Sequence, residues 1–456
     1  MSNQLGAGRL RRRVMWLVEA RSSAAAVAHT LVARFGVMGV NLATGLIVAR
    51  ALEPKGRGEQ GAMALWPGVI CGLLTLGVPA ALRYYVSRDR EHSDDLFSIA
   101  LIYAALLGVV GVAVGVVGIP HWLSRYDPQT IRFAQWLMLL APATTIAWML
   151  QAFLEARGDF KQSNFIVYIP PVGTLVMLLA LLAAHHLTPY TSALAYGVPS
   201  VFLSIWRCIG LRRHIHLPPR GFKNATKRLF SYGIGAYGID VLSMLGPQIF
   251  QALQVKFLTP AEFGAYGVAY TVARLPGLLA SSIMVVLLPR ASALEPDAAV
   301  ALIARVARLT ITATAVTNLI MAFMVPTVLP LLYGHKYALA VVITQILCVQ
   351  MTISSTSVLA NAFLATGKPA SLTILQGIGL ATTLPFTVIL IPHFGFEGAA
   401  YAALCSSVVR LGLLLGSYPI FLKRRPPNLI LQPADVRYAI AALRGRGGTR
   451  PQATAA

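Results

Sequence analysis

Three arginines and one aspartate stand where charge is expensive. Arg34, Arg274, Arg410 and Asp240 all fall inside long apolar stretches. A charge near a bilayer centre costs about 2.5 kcal/mol or more, so each such residue needs a partner or a purpose. The chemistry the arginines suggest is anion recognition, because a guanidinium presents a planar fork of donors matched to phosphate oxygens. Tyr266 and Tyr270 precede Arg274 at i, i+4 and i+8. One helical face therefore offers rings that stack on sugars and hydroxyls that bond to sugar hydroxyls. Asp240 is the central acid able to answer to a proton or an ion. Two structural alternatives stand beside this reading: Arg34 and Asp240 can pair with each other, and Arg410 can snorkel or bond to helix ends.

Uncharged polar residues extend the pattern. Thr30, Arg34, Asn41 and Thr44 share one helical face, as do Tyr237, Asp240, Gln248 and Gln251. Thr144, Trp148, Gln151 and Glu155 form a third stripe, and Gln350, Ser354, Ser357 and Asn361 a fourth. Such amides serve equally as helix–helix bonds or as the lining of a wet cavity. The expected substrate-contacting set is Arg34, Asn41, Gln151, Tyr266, Tyr270, Arg274, Asn361 and Arg410, with Asp240 in the coupling role. No catalytic, metal or cofactor site is expected. A Ser/His/Asp, Cys/His or paired-carboxylate constellation is missing, and His185-His186 has no third ligand at metal spacing. Cys71, Cys208, Cys348 and Cys405 lie in apolar spans as small core residues. Gly233-Ile-Gly235-Ala-Tyr-Gly238 fits G-x-G-x-x-G, yet no strand precedes it, which argues against a dinucleotide site.

These residues need helices to hold them. The chain is 56 % hydrophobic and 12 % charged, with a mean hydropathy of +0.67, which excludes a water-soluble surface over most of its length. A crossing needs about 20 apolar residues. Twelve segments qualify, near 25–49, 61–82, 96–119, 132–154, 164–187, 191–211, 229–257, 262–288, 305–332, 338–364, 371–392 and 398–422. The fold expected is an all-α polytopic membrane protein of about twelve spans. The two ends and the even-numbered junctions hold 26 of the 38 Lys and Arg, against seven in the odd junctions. Both termini are therefore expected in the cytoplasm of a bacterial inner-membrane protein. The net charge of +22 reflects this topology rather than nucleic-acid binding. No cleaved signal peptide is expected, since the first apolar stretch has full spanning length.

Shifting the chain by 206 positions lays Leu52, Pro54, Gly58 and Gly61 on Leu258, Pro260, Gly264 and Gly267. The same shift puts Arg34 on Asp240, opposite charges at one position of two repeats. A second match pairs Gln151-Ala-Phe-Leu154 with Asn361-Ala-Phe-Leu364, each followed by a glycine (Gly158, Gly367). Six spans per repeat is an even number, so the repeats are parallel and enclose a central cavity between them. The domains expected are a basic N-terminus (1–24), a six-helix bundle (25–211), a cytoplasmic connector (212–228), a second six-helix bundle (229–422) and a basic, disordered tail (423–456). Gly108, Gly111, Gly115 and Gly118 form a smooth stripe for close packing on span 3.

The stretch Ala49-Arg50-Ala51-Leu52-Glu53-Pro54 with Gly58, and Phe257-Leu258-Thr259-Pro260-Ala261-Glu262-Phe263-Gly264 in the second repeat, resemble the paired motif of the polysaccharide lipid flippases. These belong to the multidrug/oligosaccharidyl-lipid/polysaccharide exporter superfamily. Leu288-Pro289-Arg290, Leu332-Tyr333-Gly334, Ala365-Thr366-Gly367-Lys368 and Phe394-Gly395-Phe396-Glu397-Gly398 extend the resemblance over essentially the whole chain. It implies a non-enzymatic transporter of isoprenoid-pyrophosphate-linked oligosaccharide for O-antigen, capsule or exopolysaccharide assembly, driven by a proton or sodium gradient. Its partners would be that lipid-linked substrate, the bilayer and other polysaccharide-assembly membrane proteins. The family often carries an acid in the second half of span 7, where this chain has Gln251. A cation-coupled drug exporter of the same fold is the first alternative, disfavoured by three arginines against one central acid. A membrane polymerase or ligase is the second, disfavoured by odd-side loops no longer than His121–Gln129.

Overall fold

The computed structural model describes residues 23–216, 222–240, 246–277, 291 and 294–437, and their side chains apart from those of 23–35, 234–240 and 369. Among the described residues there are helices and turns and no strand, the arrangement that satisfies backbone polar groups inside a bilayer. Eight helical stretches are long and apolar enough to cross a membrane. Two of them, Gly36–Leu74 and Ala370–Leu422, are too long for a single crossing, and each bends inside, at Glu53 and at Gly395. These account for ten of the expected spans. Parts of spans 7 and 8 lie outside the described residues, and the pieces Gly246–Phe257 and Pro260–Arg274 are shorter than a crossing.

The chain divides into two compact units, Met1–Tyr237 and Gly238–Ala456. In the first, α1 (Ser23–Leu74) turns at Glu53, where φ is 58° and ψ 178°. Pro54 disfavours a helical residue before it, so the first crossing ends there. A turn at Thr75–Gly77 leads into α2 (Val78–Arg88). Then follow α3 (Ser93–Trp122), α4 (Pro128–Leu137), α5 (Ala141–Ala156), α6 (Phe160–Ala183) and α7 (Pro189–Gly210), and most of α8 (Phe222–Asp240). Gly108, Gly111 and Gly115 are buried, and a Cβ on Gly108 would stand 2.4 Å from the Pro142 Cα. The stripe thus lets α3 meet α5 backbone to backbone. Phe97 and Phe153 stack at 4.0 Å in the core.

The second unit contains α9 (Gly246–Phe257), α10 (Pro260–Arg274), α11 (Pro296–Tyr333), α12 (Val341–Ser354), α13 (Asn361–Ala365) and α14 (Pro369–Ser417). Thr259 and Glu262 form a reciprocal capping box on α10, which satisfies donors the first helical turn leaves unpaired. Its core gathers Ile303, Leu359, Phe363 and Tyr418. The repeat is visible in both units. Phe153 and Phe363 are fully buried, and Gly158 (φ +81°) and Gly367 (φ +73°) turn the chain after them.

One expectation, that of a disordered tail, changes. The tail is not free from residue 423: Asp435 is fully buried, and Arg308 donates to it through Nε at 2.6 Å and Nη2 at 2.8 Å. A charge buried this way requires such a partner, so residues 423–437 are docked on α11. Residues 438–456 lie outside the described residues. The connector is tied at both ends as well, with 217–221 outside the described residues. His214 meets Asp94 at 2.9 Å and Arg228 meets Asp89 at 3.2 Å. Gly233, the first glycine of the G-x-G-x-x-G match, packs its backbone on the Thr75–Gly77 turn, where a Cβ would stand 2.8 Å from the Leu76 carbonyl. Close approach of two chains explains that glycine.

Candidate functional site

The first unit encloses a cavity of about 450 Å³ lined by α1, α5, α6 and α7. Asn41 and Gln151, both expected to contact substrate, line it together with Thr144 and Trp148 of the same expected stripe. Spacing of three and four residues on α5 carries Thr144, Trp148 and Gln151 to one side, and the structure turns that side inward. Thr174, Tyr196, Ser200 and Ser204 complete the polar lining. Sequence reasoning missed the α7 contribution, although Tyr196, Ser200 and Ser204 follow i, i+4, i+8 spacing that was available to it.

Proline shapes the same cavity. Pro170 and Pro171 sit within α6 and withhold the N–H groups that Ile166 and Val167 would otherwise receive at their carbonyls. All four residues line the cavity. Several lining side chains are already hydrogen-bonded. Thr144 donates to the Leu140 carbonyl at 3.0 Å, and Ser204 donates to the Ser200 carbonyl at 2.6 Å. Gln151 donates through Nε2 to Glu155 Oε1 at 2.8 Å. One turn beyond the cavity, Glu155 also accepts from Ser163 at 3.2 Å and pairs with Arg83 at 3.2 Å. Among the described residues no Asp, Glu, Lys or Arg side chain lines the cavity.

The remaining expected residues are in the second unit or beyond description. Tyr266 and Tyr270 stack with centroids 6.5 Å apart, and the Arg274 guanidinium lies 6.0 Å from the Tyr270 centroid. This part of the expected stripe is continuous. Tyr266 is buried against Phe250, with the buried Gln254 side chain beside its hydroxyl. Asn361 donates to the Val358 carbonyl at 2.9 Å. Gln350 donates to Ser354 at 2.7 Å and to Ser407 at 2.8 Å, joining α12 to α14. Arg410 donates to Thr383 at 2.9 Å and to the Gly379 carbonyl at 3.4 Å. It therefore fastens the two arms of α14 on either side of the Gly395 bend, the helix-bonding alternative. Arg34 and Asp240 sit on described helices, but their side chains, and hence their pairing, lie outside the described residues.

Outside the membrane helices, Asp89 accepts from the His92 ring at 3.0 Å. That bond, with Arg228 adjoining, holds the Asp89 carboxyl below the usual carboxylate range. It raises the His92 imidazole above its ordinary value. Among the described residues no three His, Cys, Asp or Glu side chains gather as a metal site would require.

Residues 47–342 match the family described as polysaccharide biosynthesis protein. No curated protein sequence matches the chain. Solved structures that share the fold include the lipid II flippase MurJ in an inward closed conformation, 15 % identical, TM-score 0.71, covering 87 % of each chain. A multidrug resistance MATE family transporter of the MOP superfamily, inward-facing, is 14 % identical with a TM-score of 0.65, over 84 % of this chain and 95 % of that one. A MOP superfamily transporter from Pyrococcus furiosus, described by the reverse polarity of its binding pocket, is 15 % identical with a TM-score of 0.56, over 88 % of this chain and 96 % of that one. At these identities the likeness establishes a shared fold.

Proposed function

Because the chain belongs to the polysaccharide biosynthesis protein family and has the fold of the MOP superfamily transporters, we propose that it flips isoprenoid-pyrophosphate-linked oligosaccharide across the bacterial inner membrane. The units so moved would feed O-antigen, capsule or exopolysaccharide assembly. The observation that carries this reading is an uncharged cavity of hydroxyls, amides and aromatic rings inside apolar helices. Sugar rings are the solutes such a lining suits: hydroxyls find hydrogen-bond partners, and ring faces find Trp148 and Tyr196.

On this reading Arg34, Arg274 and Arg410 hold the pyrophosphate, while the lipid tail stays in the bilayer. The two units alternate access by rocking about the 212–228 connector. Asp240, answering to a proton or sodium ion, biases the two states through Arg34. A deletion strain tests the function. Lipid-linked repeat units should accumulate in the cytoplasmic leaflet, and surface polysaccharide should fall. Normal polysaccharide with loss of drug resistance would refute it.

A drug exporter is the second reading, favoured by the fold shared with MATE transporters. A cationic drug would seek an acid in the cavity. Among the described residues none lines it, and the nearest carboxylate along α5, Glu155, is engaged by Arg83.

A further inference from the structure

Glu155 has no place in the transport scheme above, yet it fixes a property of the cavity. A carboxylate only accepts hydrogen bonds, so the Gln151 amide must turn its NH₂ group toward Glu155. Its carbonyl oxygen is then left for the cavity, beside the second amide hydrogen. The neighbouring groups are biased the same way. Thr144 and Ser204 spend their hydroxyl hydrogens on the Leu140 and Ser200 carbonyls, which leaves oxygen lone pairs toward any ligand. The two carbonyls stripped of helical donors by Pro170 and Pro171 add to the excess of acceptors.

A site whose described lining is polar but uncharged discriminates between the two halves of a lipid-linked glycan. Sugar hydroxyls donate and are satisfied there. Pyrophosphate oxygens only accept, and bringing so charged a group into a site whose described lining holds no cation costs hydration that a few neutral donors such as Asn41 and Tyr196 do not repay. The volume of about 450 Å³ lies within the range of small-molecule pockets, roughly 300–1,000 Å³.

We infer that the cavity of the first unit is a subsite for the neutral sugars of the substrate, and that Glu155, anchored by Arg83 and Ser163, is the positioning residue that orients Gln151 to read their hydroxyls. This rests on the flippase reading and specifies which part of the substrate enters which part of the protein. The pyrophosphate is excluded from the subsite and left to the arginines.

The test uses the purified full chain in lipid nanodiscs and two probes: farnesyl diphosphate carrying a neutral disaccharide, and farnesyl diphosphate alone. The wild type should bind the glycosylated probe more tightly, and the ratio of the two affinities is the sugar increment. Gln151→Ala should cut that increment roughly 3- to 10-fold, the loss expected for about one hydrogen bond, with the bare probe unaffected. Glu155→Ala should reduce the increment similarly, Glu155→Gln should restore most of it by supplying an acceptor, and the double alanine variant should be no worse than Gln151→Ala. That non-additivity distinguishes positioning from mere support of the fold. An increment unchanged by Gln151→Ala overturns the subsite. Equal weakening of both probes by Glu155→Ala, or losses that add in the double variant, overturn the positioning role. A wild type that binds both probes equally refutes the subsite and leaves the flippase reading intact, whereas one that binds neither refutes both.

Discussion

The arginines expected to hold an anion differ in what their surroundings ask of them. Among the described residues Arg274 has the Tyr270 ring as its neighbour, with the centroid 6.0 Å away, whereas Arg410 bonds to Thr383 and Gly379. Removing Arg274 should therefore lower transport with little change in stability. Arg410→Ala should lower both, the stability by about 1–2 kcal/mol for the bonds lost. Thermal unfolding read beside transport separates the two; equal stability loss would contradict the assignment. A second residue-scale prediction concerns pH at the connector. His92 is raised by Asp89, so its contribution is complete below the unfolded histidine value, about 6.5, and fades as pH rises through the raised folded value. Asp89, held low, contributes above its unfolded value and loses that contribution as pH falls through its lowered one. The His92 imidazole should titrate above an ordinary histidine in wild type by NMR and return to normal in Asp89→Asn. An unshifted wild-type histidine would count against the ion pair.

At the scale of elements, the helices were legible because bilayer thickness and apolar length fix them, and the breaks were legible where proline or glycine recurs. Pro54 and Pro260 begin helices in both units, as the 206-residue repeat implied. The Gly108 stripe was read as packing, and its contact with Pro142 follows. Gly108→Leu should push α3 from α5 and destabilise the protein by about 1–3 kcal/mol, the usual cost of overpacking. Gly36→Leu, where a Cβ meets nothing within 4 Å, is the control; equal effects on melting would contradict the contact. The α7 side of the cavity was less legible, since Tyr196, Ser200 and Ser204 carry no charge to draw attention. Asn41 and Gln151 were found because polar stripes cost free energy in membranes. That Gln151 meets Glu155 was implicit in their i, i+4 spacing, but the anchoring of Glu155 was not readable, because Arg83 and Ser163 approach it from other helices.

At the scale of the molecule, each unit carries its own buried core, a property that suits two bodies moving in alternation. What composition misjudged was the tail. Proline, glycine and arginine read as disorder, but Asp435 finds Arg308 across 127 positions of sequence. Such a pairing has no local signature. Asp435→Ala should strip residues 423–437 from α11 and open Arg424 and Arg425 to trypsin much faster than in wild type. Unchanged cleavage would show that the ion pair does not hold the tail. The central claim, that the protein moves a lipid-linked glycan between leaflets, is tested most directly by reconstitution. Purified protein in liposomes is loaded with a fluorescent, farnesyl-pyrophosphate-linked oligosaccharide, and a membrane-impermeant quencher is added outside. The account predicts that the fraction protected in the inner leaflet declines faster than in protein-free liposomes, and more slowly again with Arg274→Ala. Protection that persists as in protein-free liposomes, under imposed proton and sodium gradients alike, would contradict it.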